Sequence, residues 1–358
     1  MLATLIRAWQ VPELRKRLTF VLMMFAVFMV AVHIPVPGID PRQMDKLFQN
    51  AGILNLLSMF SGGALRRYSI LAMSITPYIN ATIIMQLIGV LVPQIEELRK
   101  EGGESGRRQI AKWTRWLTIV LALCQAGMMN TMLYRAKVLN VHPLQFVGIT
   151  LILTAGTTFL MWMGELITER GIGNGVSLVI FAGIMVRLPQ QFLQSWQQAR
   201  VSNGFPMFVI LIILFLLIVV SMVIMTDAER RIKIQSARKV QGTKVYQGST
   251  SYLPIKLTTA GVMPIIFAIS VLLVPATVVK FLPIHTHAWP RIQQYIIQYT
   301  SPGQSWEASL IYFALVIFFT FFYTAVTFNV SDIADNLRKW GSYIPAVRPG
   351  RPTQEHID

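Results

Sequence analysis

From Phe205 to Met225 the chain runs for 21 residues without one charged side chain, FPMFVILIILFLLIVVSMVIM. At ~1.5 Å per residue a helix of that length reaches across the ~30 Å hydrocarbon core of a bilayer. Within hydrocarbon every backbone N–H and C=O needs a partner inside its own segment, so such a stretch folds as a helix and faces lipid. Further apolar stretches cover residues 18–34, 69–92, 113–133, 146–167, 176–188, 258–282 and 306–330. Hydrophobic residues make up 54% of the 358 and charged ones 13%, which places the chain among polytopic membrane proteins and excludes a soluble domain. The expected architecture is all-α, a membrane bundle of eight transmembrane helices.

The net charge of +16 gains meaning from where the Lys and Arg residues lie. Arg7, Arg15, Lys16 and Arg17 precede the first span, so the positive-inside rule holds the N-terminus in the cytoplasm. Threading eight spans from there puts 22 of the 32 basic residues on cytoplasmic segments and returns the C-terminus to the same side. The N-terminal pattern imitates a signal peptide, but Leu18 to Val32 leads into Pro35-Val36-Pro37-Gly38 rather than a small-residue cleavage site. It reads as a retained span. The largest basic loop, 227–256, alternates like a β-hairpin around Gln241-Gly242 and Gln247-Gly248; a second cytoplasmic segment covers 331–358.

The stretch Ile53 to Pro93 is different. Its first apolar segment, Ile53 to Leu65, reaches only about 20 Å as a helix and cannot span. After Arg66 and Arg67, the segment Ser69 to Val92 is long enough, yet it carries Ser74, Thr76, Asn80, Thr82 and Gln86, a polar load that a lipid-facing helix does not tolerate. A short helix joined through Ser61-Gly62-Gly63 to a polar-striped span predicts a re-entrant piece folded into a protein-lined cavity.

Other features carry less. Gln94 to Lys112 is glycine-rich but has no GK[ST], so a solvated loop is expected rather than a phosphate cradle. Gly171-Ile172-Gly173-Asn174-Gly175 has no preceding strand; it bends one helix into the next, and the fifth span ends at Pro189 before an external stretch, Gln190 to Asn203. Pro264 and Pro275 predict a kinked seventh span. The single cysteine, Cys124, excludes an intrachain disulfide and reads as a buried small residue. His285 and His287 lack the further ligands that a metal site needs. Glu165 and Glu169 are expected to pair with Arg170 or with neighbouring loops. No Walker motif, HExxH, nucleophile elbow or intramembrane carboxylate pair occurs, so the chain is not expected to be an enzyme, implies no cofactor and no metal, and must draw energy from a partner.

Read together, MFSGGAL, PYINATIIMQL, EGGESGRR, GELITERGIGNG, AGVMPIIFA, FFYTAV, ADNLRK and RPGRPT occur in the order found in the SecY family, and the chain resembles that family over nearly its whole length. The resemblance implies two inverted five-span halves. Here residues 1–190 would form the first half, 191–204 an external linker and 205–358 a partial second half of three spans, the family continuing into two more. It implies that 53–65 is the plug of the resting channel, carried by Ile53, Leu56, Leu57, Met59, Phe60, Ser61, Gly62, Gly63 and Leu65. It assigns Ile75, Ile79, Ile172, Val176 and Ile266 to a pore ring, whose branched apolar side chains can close around any extended chain and dewet when empty. Asn80, Thr82, Gln86 and Gln125 would meet Thr258, which stands where many members have Asn, across a lateral gate.

The resemblance further implies docking of partners on Arg230, Arg231, Arg238, Lys239, Lys244 and Arg348. Those partners would be SecE and SecG, the motor ATPase SecA, and the ribosome with its RNA and nascent chain, together with signal peptides and membrane lipids. The location implied is the bacterial cytoplasmic membrane and the activity translocation of unfolded secretory proteins and insertion of membrane proteins. Two alternatives stand beside it: an incomplete, nonfunctional fragment of that channel, and a small-solute secondary transporter, which would need charged midplane residues that the spans lack.

Overall fold

Proline opens many of the helices. It lies in the first turn of α1 (Pro12–Val32), α3 (Thr76–Leu91), α6 (Pro143–Arg170) and α8 (Phe205–Asp227), where its missing N–H costs nothing. The computed structural model describes residues 9–39, 44, 58, 61–100, 102–139, 141–201, 204–236, 239–241, 244–246, 250–281, 289–300, 305–328, 330–345, 347–348 and 350–357. Between the helices above lie α2 (Ala64–Arg67), α4 (Pro93–Lys100), α5 (Gly103–Arg135) and α7 (Gly175–Val201). After α8 come strands β1 (Glu229–Ser236), β2 (Lys239–Gln241), β3 (Lys244–Tyr246) and β4 (Thr250–Lys256). The chain continues through α9 (Met263–Phe281), α10 (Trp289–Thr300), α11 (Trp306–Thr327), α12 (Val330–Lys339), β5 (Ser342–Tyr343) and α13 (Arg351–Ile357).

Among the described residues, α5, α6, α7, α8 and α11 are long and apolar enough to cross a membrane, and α3 with α4 makes a sixth if the pair counts as one broken span. That break bends the chain by 105° at Val92-Pro93, where the residue before proline takes extended backbone. Two compact units divide the chain: residues 1–197 with 267–313, and residues 198–266 with 314–358.

In the first unit α5 packs against α3, α4 and α6, and α1 packs against α6. Thr114, Thr118, Ala122, Ala126, Asn130 and Leu133 form the buried face of α5, at a spacing of three or four. Its other face is open. Cys124 lies there and is exposed, which corrects the expectation of a buried cysteine. The core gathers Val36, Leu65, Tyr68 and Ala72 from the chain around α2 against Ala126 and Leu133 of α5 and Ile149 and Leu153 of α6.

Several boundaries differ from the sequence reading. The expected loop at Gln94 to Lys112 is a helical hairpin of α4 and the start of α5. A Cβ at Gly102 or Gly106 would lie 2.3 Å or 2.1 Å from the Leu98 carbonyl oxygen, so these glycines serve close helix approach. Residues 69–75 form turns rather than the first part of a helix, with Ser74 at φ 55°. The helix of the fifth span does not stop at Pro189; α7 carries that proline inside and continues through the expected external stretch to Val201, since one lost backbone bond does not outweigh the helical stretch on either side. Pro264 falls in the first turn of α9 rather than at a kink, and Pro275 lies inside that helix.

In the second unit β1 pairs antiparallel with β4, from Glu229 against Lys256 to Gln235 against Thr250. Ile232 and Ile234 of β1 are buried while Arg231 and Lys233, which alternate with them, are exposed, the period of two that the sequence shows. The strand β5 adds to the other edge of β1, pairing Gln235 with Tyr343 and Ser236 with Ser342. A second hairpin joins β2 to β3.

Candidate functional site

Of the expected plug, Ile53, Leu56, Leu57, Met59 and Phe60 lie outside the described residues, as do His285 and His287. Its C-terminal end is a tight, buried turn. Gly62 and Gly63 take φ of 65° and 86°, a left-handed backbone that suits glycine. The Ser61 hydroxyl donates to the Ser58 carbonyl at 3.1 Å and accepts the Leu65 N–H at 3.2 Å, while the Gly63 N–H donates to the Ser58 carbonyl at 2.9 Å. A Cβ at Gly62 would meet the backbone of Gly183 at 3.3 Å, so the turn sits directly on α7. Leu65, one turn further, is buried.

Four of the five expected ring residues belong to the first unit and Ile266 to the second. Ile75 precedes α3 and is 1% exposed; Ile79 follows one helical turn later and is half-buried. Ile172 lies within the glycine turn between α6 and α7 and Val176 follows it, Ile172 exposed at 39% and Val176 half-buried. That turn is dense: a Cβ at Gly175 would lie 1.9 Å from the Gly164 carbonyl oxygen, and the Gly175 N–H donates to Thr168 Oγ1 at 2.8 Å. Ile266, on α9, is buried.

Asn80, Thr82 and Gln86 lie on α3, which packs on α5, where Gln125 is half-buried. The Thr82 hydroxyl donates back to the Tyr78 carbonyl at 2.9 Å, within its own helix. The Gln86 Oε1 atom is buried and unpaired among the described residues. Thr258 is exposed in the turn after β4, in the second unit.

Arg230 and Arg231 are exposed on β1, with Arg231 Nε 3.8 Å from Glu229 Oε2. Lys239 and Lys244 lie on the paired strands β2 and β3; Arg238 lies outside the described residues. Arg348 is exposed, and its carbonyl accepts the Thr353 hydroxyl at 2.9 Å, which ties it to α13. The β1–β5 pairing joins the two basic segments, 227–256 and 331–358, in one three-stranded sheet. Nothing in a two-residue strand signals this from sequence.

Two interactions escaped the sequence reading. Glu165 pairs with Arg115 at 2.8 Å across α5 and α6 rather than with Arg170, because Arg170 lies beyond it at the end of the same helix. Asn130, a polar residue inside an apolar span, is fully buried and bonded to Tyr68 and Thr150. Its polarity was the available signal.

The fold matches solved structures of protein-conducting channels. One such channel aligns over 96% of this chain and 80% of its own, with a TM-score of 0.64 at 17% identity. A structure concerning the plug domain of SecY aligns over the same shares with a TM-score of 0.66, also at 17% identity. These likenesses show that the chain shares the fold of those channels. A family model described as SecY matches residues 69–358. The protein translocase subunit SecY of Pseudomonas aeruginosa is 45% identical over 97% of this chain and 78% of its own, and that of Escherichia coli K12 is 42% identical over 97% and 79%. The chain belongs to the SecY family.

Proposed function

We propose that the chain forms the protein-conducting channel of a bacterial Sec translocase, passing unfolded secretory proteins across the cytoplasmic membrane and releasing apolar segments into it. In this reading eight spans cross the membrane, both termini face the cytoplasm, and residues 1–190 and 205–358 form the two halves around the linker 191–204. Residues 53–65 act as the plug, and Ile75, Ile79, Ile172, Val176 and Ile266 as the ring. Asn80, Thr82, Gln86, Gln125 and Thr258 belong to the lateral gate, where polar side chains between helices contribute about 0.6 to 2 kcal/mol each, weak enough for a helix to pass. Arg230, Arg231, Arg238, Lys239, Lys244 and Arg348 dock SecA and the ribosome, with salt-dependent affinity for ribosomal RNA. SecE and SecG complete the membrane assembly. The chain performs no catalysis.

The observation that best supports this reading is the buried Ser61-Gly62-Gly63 turn seated on α7, within a fold shared with known protein-conducting channels. Replacing Ile79 by Asn tests it. A polar side chain in an apolar constriction favours wetting, so ion leak through reconstituted vesicles rises; unchanged conductance removes Ile79 from the ring.

A further inference from the structure

Tyr68 follows the Gly62-Gly63 turn after only the four residues of α2, and its backbone takes φ 47°, uncommon for a residue with a Cβ. Its ring is fully buried. The hydroxyl donates to Oδ1 of Asn130 on α5; Asn130 Nδ2 donates to Oγ1 of Thr150 on α6 at 2.8 Å; the Thr150 hydroxyl donates to the Phe146 carbonyl at 2.9 Å. Each of these hydroxyls thus has a partner, and the chain of bonds ends on helix backbone. A phenol is protonated at physiological pH, so Tyr68 is the donor of this bond. Around it the main chain is also pinned: Val36 N–H donates to the Tyr68 carbonyl at 3.0 Å, and Ile70 N–H to the Ile34 carbonyl at 3.1 Å.

We propose that the Tyr68–Asn130–Thr150 bonding chain is a latch that ties the base of the plug to helix α5 and favours the closed channel. The inference rests on the plug and gate reading above, in which α5 is a gate helix. A contact shifts a conformational equilibrium only if it differs between the two states. Here it does: the bonds require α5, α6 and Tyr68 in their resting places, and a displacement of α5 by about 1 Å carries the Asn130 amide beyond hydrogen-bond reach of Tyr68. Gate opening therefore releases the plug base, and Tyr68 and Asn130 act as positioning residues for closure.

The test uses the full chain in its membrane assembly, reconstituted into vesicles, with ion leak and thermal melting measured for Tyr68→Phe, Asn130→Leu, the double variant and a deletion of residues 53–60. The latch predicts that Tyr68→Phe raises leak about fivefold, the population change produced by one net buried hydrogen bond, and that Asn130→Leu, which also breaks the bond to Thr150, raises it at least as much. The double variant leaks no more than Asn130→Leu alone, because both substitutions break the same latch. Melting behaves differently: removing one partner leaves a buried group unpaired, and removing both restores part of the loss. Leak that falls back with the melting point in the double variant makes these residues structural only and overturns the proposal. So does normal leak in Tyr68→Phe when the deletion leaks, which leaves the plug reading intact. If the deletion itself does not leak, the plug reading fails and the latch with it.

Discussion

Gly175→Ala probes how the turn between α6 and α7 is built. A Cβ there would lie 1.9 Å from the Gly164 carbonyl oxygen and 2.8 Å from both Ile167 Cβ and Thr168 N. Carbon and carbonyl oxygen approach to about 3.3 Å, so the start of α7 must withdraw by about 1.4 Å. The closest obstacle is backbone, with no flexible side chain to yield, and overpacking of this kind costs about 1–3 kcal/mol. Withdrawal also breaks the 2.8 Å bond from the Gly175 N–H to Thr168 Oγ1, a further loss of about 1 kcal/mol. The total comes to about 3 kcal/mol. Gly164→Ala is the internal control: its Cβ would meet Val176 Cγ2 at 3.4 Å and Val176 Cα at 3.5 Å, ordinary contacts, while the helix interior gains about 0.5–1 kcal/mol from losing a glycine. Thermal melting in detergent should therefore drop clearly for Gly175→Ala and stay level or rise for Gly164→Ala. Ion leak should rise in the first variant only, because Val176 follows the displaced residue. If the two variants melt alike, or Gly164→Ala is the worse, the close approach described here is wrong.

Two further outcomes are expected. Arg115 and Glu165 are 52% and 27% exposed, so reversing either charge lowers stability by less than about 1 kcal/mol, and exchanging both recovers part of it in a salt-dependent way; a double exchange that melts as low as the sum of the singles at low salt rules out the pair. Arg348→Glu should impair motor-driven export from inverted vesicles while leaving membrane insertion and melting of the chain unchanged; normal export would move the docking site elsewhere.

What was legible in the sequence was what repeats. The uncharged run Phe205 to Met225 became α8, and the alternation around Ile232 and Ile234 became β1. Both patterns are local and follow from burial on one face or from immersion in lipid. Features set by tertiary approach were hidden. Gly102 and Gly106 look like loop residues, yet they let α5 come against the Leu98 carbonyl; only the packed hairpin shows why no side chain fits. Cys124 and Asn130 lie in the same apolar run, and their burial depends on which side of α5 meets α6. Tyr68 finds its partner 62 residues away. The β5 strand, two residues long, gains its structure from β1 rather than from its own composition.

In the channel reading a translocating polypeptide passes the residues assigned to the ring. A photo-crosslinking amino acid placed at position 79, with a secretory precursor stalled in transit, tests this, and the exposed position 214 on helix α8 serves as the control. A crosslink to the precursor is expected from position 79 and none from position 214. A stalled precursor that crosslinks to position 214 and not to position 79 would contradict it.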